Sequence, residues 1–156
     1  MSDIKFGTDG WRAIIADDYT VENVKRVAQA TALFMKSRGM HKAVIGYDCR
    51  FGGKLFAETT ARVLGTHGIS IIMGDHVAST PMVSLGVRKT GSDLGIVITA
   101  SHNPPTYNGF KLKSSYGGPS VPADIAAVEA LIPTQAPDNL ISLEDMTGDG
   151  KLTYMN

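Results

Sequence analysis

Cysteine is almost missing from this sequence of 156 residues. Cys49 stands alone, so no internal disulfide can staple the fold and stability has to come from a buried core. Neither sign of charge is in excess. Fifteen basic and fifteen acidic residues cancel and no basic tract stands out, which removes the electrostatic case for nucleic acid or an anionic membrane as a partner. No apolar run approaches the roughly 20 residues of a membrane span. The N-terminal MSDIKFGTDG has no apolar signal segment, and there is no Asn-x-Ser/Thr sequon. Together these absences place the chain in the cytoplasm as an expectation. His41, His67, His76 and His102 never fall at the spacings that hold zinc. No Gly-x-Ser-x-Gly elbow surrounds Ser101, which argues against a hydrolase nucleophile of that type. What remains is a chain that is 43% hydrophobic and 19% charged, suited to one domain or to one with a small appendage.

The most informative stretch is 94–113, LGIVITASHNPPTYNGFKLK. It starts as the near-continuous apolar run of a strand buried on both faces, then turns polar at Thr99-Ala100-Ser101-His102-Asn103. Pro104 and Pro105 remove two backbone donors and fix φ, so neither a central strand nor a helix continues there. Asn108-Gly109 and the alternating Phe110, Lys111, Leu112, Lys113 read as a strand coming back. A buried strand therefore ends in a stiff loop that displays a hydroxyl, an imidazole and an amide, with a lysine returning nearby. In open α/β sheets, ligands bind beyond the carboxyl ends of strands, which is where this loop belongs. Read locally, Ser101 and Asn103 are also ordinary turn residues that bond their own backbone.

Around this stretch the chain alternates. Phe6-Gly7-Thr8-Asp9-Gly10-Trp11-Arg12 is a strand, tight turn and strand. Its two glycines allow backbone amides to approach an anion, though a plain hairpin turn explains the local sequence as well. Thr20 is a helix cap, and Val24, Val27, Ala28, Thr31, Phe34 and Met35 follow at helical spacing to Arg38-Gly39. A second buried strand over 43–47 opens into Asp48-Cys49-Arg50-Phe51-Gly52-Gly53-Lys54. This is not a P-loop, since Gly46 lies too far from Gly53 and Leu55 stands where a hydroxyl is needed. Asp48 and Arg50 either pair and cap the next helix or serve the site. A helix on Leu55, Phe56, Thr59, Val63 and Leu64 ends near His67-Gly68, and a third strand spans 69–73. Ser79-Thr80-Pro81 starts a short helix that leads to Gly91. A last helix begins at Pro122, with Ile125, Val128, Leu131 and Ile132 inward, and closes at Pro133. Residues 134–156 are less regular. Asp145 to Asn156 only superficially resembles a calcium loop, because Asn156 stands where the bidentate Glu belongs. A loop or linker is the better reading.

Helical crossovers between strands imply parallel pairing with right-handed connections, while the short loop after the fourth strand makes the fifth antiparallel. The expected fold is α/β: a three-layer αβα sandwich on a mostly parallel mixed sheet with one antiparallel strand.

Thr99-Ala100-Ser101-His102-Asn103-Pro104 resembles the phosphoserine loop of the α-D-phosphohexomutases, the phosphoglucomutase/phosphomannomutase family, and Tyr107-Asn108-Gly109-Phe110-Lys111 resembles its continuation. FGTDGWR resembles the N-terminal signature of the same mutases, and GYDCR fits a Gly-x-Asp-x-Arg strand end that recurs in them. The resemblance covers essentially the whole chain but only the first of the family's four domains. It implies a phosphoryl group carried on Ser101, handed to a hexose phosphate and recovered from the bisphosphate intermediate. It further implies that Arg12 and Lys111 stabilise transferring charge, that His102 is an acid/base or positioning group, and that Thr8, Asn103, Asn108 and Arg50 bind substrate phosphate. Magnesium and glucose 1,6-bisphosphate are the implied cofactor and activator, the only magnesium ligand in this chain being the phosphate on Ser101. The other magnesium carboxylates, the sugar loop and the phosphate clamp belong to domains II–IV.

On this reading residues 1–133 are domain I and 134–156 a tail or linker toward a second domain, and the chain is an excised or truncated domain. Two other classes stay open: a standalone phosphate-binding module without turnover, and a phosphatase-like enzyme using Ser101 alone. A phosphoglucosamine mutase fragment is an alternative within the family, although Trp11 stands where those mutases more often carry Ile.

Overall fold

The computed structural model describes residues 3–7 and 10–156. After a short strand β1 (Trp11–Ile14), Thr20 adopts an extended backbone and accepts the Asn23 N–H, which starts α1 (Val21–Ser37). The apolar spacing puts Val24, Val27, Ala28, Phe34 and Met35 on one buried stripe, and the helix gives way to Gly39 at φ 67°. Strand β2 (Lys42–Tyr47) leads to α2 (Gly53–Thr66), and β3 (Ser70–Gly74) leads to α3 (Thr80–Thr90), which is capped by Ser79. Every residue of β4 (Leu94–Ile98) is buried, as its unbroken apolar run predicts. Then come β5 (Tyr107–Ser114), α4 (Pro122–Ala130), α5 (Leu143–Gly148) and β6 (Leu152–Met155).

The strands form one six-stranded sheet in the order β1-β5-β4-β2-β3-β6. β4, β2, β3 and β6 pair in parallel, and β5 runs antiparallel between β4 and β1. The sheet is therefore mixed and mostly parallel with one antiparallel strand, as expected. Two apolar clusters on its opposite faces define the layers. The larger joins Ile45, Ile96, Ile98, Phe110 and Leu112 to α1, α2, α4 and α5. The smaller packs Val44 and Val97 against Val83 and Val87 of α3.

The expected tail is part of this architecture. Ser142 caps α5 by accepting the Asp145 N–H at 3.0 Å, and β6 extends the sheet beside β3. Arg62 Nε donates to the Ile141 carbonyl at 2.9 Å, and the Ile141 N–H donates to Thr66 Oγ1 at 3.0 Å, so the approach to α5 is tied to α2. Met146 is fully buried, and its thioether end fills the space beside Gly65 that a Cβ there would occupy. The loop or linker expected over 134–156 thus contains a helix and an edge strand: α5 is too short to show a period, so burial rather than pattern reveals it. Leu131, expected inward, is 39% exposed because α4 ends at Ala130 and the helical period does not carry on past it.

Candidate functional site

The site is built at the carboxyl end of β4. Thr99 and Ala100 are still buried, and the chain surfaces at Ser101. Ser101 has φ 52°, a left-handed conformation that costs a residue with a Cβ about 1–2 kcal/mol and that the surroundings must hold in place. His102 is exposed at the tip of the loop, as are Pro104 and Pro105, and Asn103 is half-buried. Within the loop, the Asn103 N–H donates to the Ala100 carbonyl at 3.0 Å and the Tyr107 N–H to the Pro104 carbonyl at 3.0 Å.

The register brings the expected cations to the same region. Side chains alternate along a strand, and directly paired residues share a face. Val97 pairs with Lys111, and Gly109 pairs with Arg12, so Arg12 and Lys111 lie on the α3 face with Val97. The Thr99 N–H donates to the Gly109 carbonyl at 3.1 Å, which sets Arg12 level with the start of the loop and Lys111 one same-face step, roughly 7 Å, deeper in the sheet. Gly109 is required here, because a Cβ on it would run into the Thr99 carbonyl and come within 3.0 Å of Arg12 Cγ. Across that gap, Arg12 Nη1 donates to Asn103 Oδ1 at 2.7 Å. Lys111 is buried at 6% exposure. Gly10, at φ 90°, passes so close to the Phe110 carbonyl that only glycine fits, which brings its backbone against β5. Thr8 lies outside the described residues.

Arg50 and Asn108, expected beside a phosphate, are placed otherwise. Arg50 Nη1 donates to the carbonyls of Pro104 (2.7 Å) and Tyr107 (3.0 Å), and Nη2 to those of Ser101 (2.9 Å) and Asn103 (2.7 Å). Its Nε faces Asp48 Oδ2 at 3.6 Å. Asn108 is fully buried. Its Oδ1 accepts the Gly109 N–H at 2.8 Å, and its Nδ2 reaches the Phe51 carbonyl at 3.5 Å, so it joins β5 to the loop after β2 instead of facing solvent.

Two residues missed at the sequence level complete the frame. Thr99 Oγ1 donates to Asp48 Oδ2 at 2.5 Å and accepts the Ser101 N–H at 3.1 Å. Asp48 Oδ1 accepts the Arg50 N–H at 3.1 Å, so Asp48 and Arg50 pair as one of the two readings held, although the helix after them follows Gly52 and has no side-chain cap. Tyr19, fully buried, donates its hydroxyl to the Gly109 carbonyl at 2.7 Å and stacks on Trp11 with ring centroids 4.6 Å apart. Burial, and secondarily the charge of Asp48, pushes the Tyr19 phenol well above its ordinary pKa, so it is a neutral structural donor.

An exposed serine hydroxyl, an imidazole and nearby cations at a strand end are a set that can receive and hold a phosphoryl group. Among the described residues no group of three His, Cys, Asp or Glu is placed to hold a metal ion.

Known proteins are similar to this chain in sequence and fold. Residues 3–138 match the family model described as phosphoglucomutase/phosphomannomutase, alpha/beta/alpha domain I. A phosphoglucomutase of Staphylococcus saprophyticus is 34% identical over 98% of this chain and 29% of its own length. A phosphoglucosamine mutase of Clostridium tetani is 37% identical over 77% of this chain and 27% of its own. A solved protein of Thermus thermophilus, described as a phosphomannomutase, superposes with a TM-score of 0.90 at 32% identity, covering 99% of this chain and 33% of the other. The chain thus spans about a third or less of the length of these relatives.

Proposed function

Since the chain belongs to the phosphoglucomutase/phosphomannomutase family as its α/β/α domain I, we propose that it is the phosphoserine-bearing part of an enzyme that interconverts hexose 1-phosphate and hexose 6-phosphate. The observation that carries this reading is Ser101, exposed in a held left-handed turn just beyond β4, with Arg12 bonded to Asn103 of the same loop. In the forward half-reaction a hydroxyl of the hexose phosphate attacks the phosphorus on Ser101. A new P–O bond forms, the bond to Ser101 Oγ breaks, and the attacking hydroxyl's proton leaves as Oγ takes one up. The bisphosphate then returns its other phosphoryl group to Ser101. Phosphoryl transfer rests on positioning and charge neutralisation. Arg12 and Lys111 serve the latter, Arg through a fork and Lys as a point charge. His102 at the loop tip is the acid/base or positioning group, and Thr8 and Asn103 complete the phosphate surroundings.

The donors among the described residues do not by themselves fit magnesium. The carboxylate beside the loop, Asp48, is engaged with Thr99 and Arg50, leaving a phosphate oxygen on Ser101 as the ligand the loop would offer. Magnesium, glucose 1,6-bisphosphate as activator, and the contacts that choose the sugar belong in this reading to domains II–IV of a longer enzyme. The exposed Val77, Met82 and Leu85 support such a docked neighbour. The Clostridium tetani relative keeps a glucosamine phosphate substrate as a second reading within the same chemistry. No helix among the described residues is long and apolar enough to cross a membrane, and we place the enzyme in the cytoplasm.

The test is a coupled assay for conversion of glucose 1-phosphate to glucose 6-phosphate by the complete enzyme, with magnesium and glucose 1,6-bisphosphate. Ser101→Ala is expected to abolish turnover, and near-normal activity in that variant would overturn the assignment. The 156 residues alone are expected to melt cooperatively without turning over.

A further inference from the structure

Arg50 directs its donors at protein groups. An arginine has five N–H donors in a fixed fork. Here the Nη groups meet the carbonyls of Ser101, Asn103, Pro104 and Tyr107, and Nε faces Asp48. A guanidinium so engaged cannot also grip a phosphate through its fork without letting go of the loop. The loop in turn depends on it. Two prolines in succession leave this segment short of backbone donors, so its carbonyls need partners from elsewhere. Asp48 binds the arrangement together. It accepts the Arg50 N–H and faces its Nε, and it receives the hydroxyl of Thr99, which itself accepts the Ser101 N–H. The start of the loop and four of its later carbonyls are thereby tied to one carboxylate–guanidinium pair at the end of β2. The side chain of Arg50 is only 13% exposed, and its bonds to the Tyr107 and Asn103 carbonyls are part-buried while those to Pro104 and Ser101 lie nearer the surface.

The geometry points to Arg50 as the positioning residue of the Ser101 loop: with Asp48 and Thr99 it holds Ser101 in its left-handed conformation and presents the hydroxyl at a fixed place, without itself binding the phosphoryl group. This deepens the proposed function and rests on it for the use made of Ser101, but the conformational claim stands on the loop alone. A lysine at position 50 keeps the charge and loses the fork, because an ammonium is a point donor that cannot span the four carbonyls.

The experiment is nuclear magnetic resonance on the 156-residue chain. In the wild type, the Nη protons of Arg50 are expected as separate, slowly exchanging signals that do not move when inorganic phosphate is added. In Arg50→Lys, the Ser101 Cα and Cβ shifts are expected to leave left-handed values. Amide exchange at Ser101, Asn103 and Tyr107 is expected to rise about tenfold or more, the loss of charge-assisted bonds read as local opening, while exchange in β4 and β5 stays put. Three results would overturn the proposal. One is Arg50 signals that shift and sharpen with phosphate. Another is a lysine variant whose loop shifts are unchanged. The third is a variant in which β4 and β5 open together with the loop, the mark of a merely structural role. If the variant does not fold, the wild-type Arg50 signals still decide the matter. A complete enzyme whose Ser101 is never phosphorylated would instead count against the carrier reading and leave these loop measurements intact.

Discussion

Met146→Ala tests whether the last stretch of chain belongs to the core. The side chain has no exposed surface and its thioether end fills the space beside Gly65 on α2. Truncation removes that packing and leaves a void that α2 cannot fill, since glycine has no side chain to move in. Buried Met→Ala changes cost about 2–5 kcal/mol, and poor collapse at this site argues for the middle to upper part, about 3–4 kcal/mol. For a chain of this size that lowers Tm by about 6–16 °C. The assay is a thermal and urea melt followed by circular dichroism, with the Gly65→Ala and double variants alongside. Gly65→Ala alone overpacks against Met146 and should itself cost about 1–3 kcal/mol. The double variant should lose less than the two singles added, because the new methyl occupies part of the void. A Met146→Ala protein that melts with the wild type, or that loses only a separate early phase, would refute the placement of α5 and β6 in one cooperative unit.

Two further outcomes are expected from the frame under the site and from its periphery. Tyr19→Phe should cost only about 1 kcal/mol in a urea melt, because the Gly109 carbonyl keeps the Thr99 N–H when the phenol is removed; a loss as large as that of Tyr19→Leu would contradict this. The His67 pKa is lowered by partial burial and by the charge of Lys36, so the unfolded chain binds the proton more readily than the folded one. Its contribution to stability is then present above the ordinary histidine pKa of about 6.5 and is lost as pH falls through the lowered folded value. Melts of His67→Asn should lack that part of the decline below about pH 6.5, and an unchanged pH profile would sink the argument.

How far the sequence could be read depended on how many residues each signal spans. The run from Leu94 to Ile98 followed by two prolines fixes a buried strand and a stop within a few residues, and the structure keeps both. Thr20, the apolar stripe of α1 and Gly39 agree with one another, so α1 falls where its pattern puts it. The burial of Asn108 had a signal in plain view. The residue alternates with Phe110 and Leu112, both in the core, and so belongs to the inward face. Lys111 and Arg12 alternate the other way and share the opposite face. Arg50 carried no such signal, because a residue type gives a set of donors but not their direction. Only the folded loop, bent back over the end of β2, shows that its carbonyls rather than a ligand receive them. α5 and β6 span six and four residues, too few for a period to emerge, and a parallel edge strand shows itself only once β3 is there to pair with it.

The central claim is that Ser101 carries the phosphoryl group. The most direct measurement is tandem mass spectrometry of the complete enzyme as purified and after incubation with glucose 1,6-bisphosphate, beside its Ser101→Ala variant. A single phosphoryl group localised to Ser101 is expected in the wild type and none anywhere in the variant. Phosphate that persists on another residue of the variant, or a wild type that stays unmodified while it turns over, would contradict it.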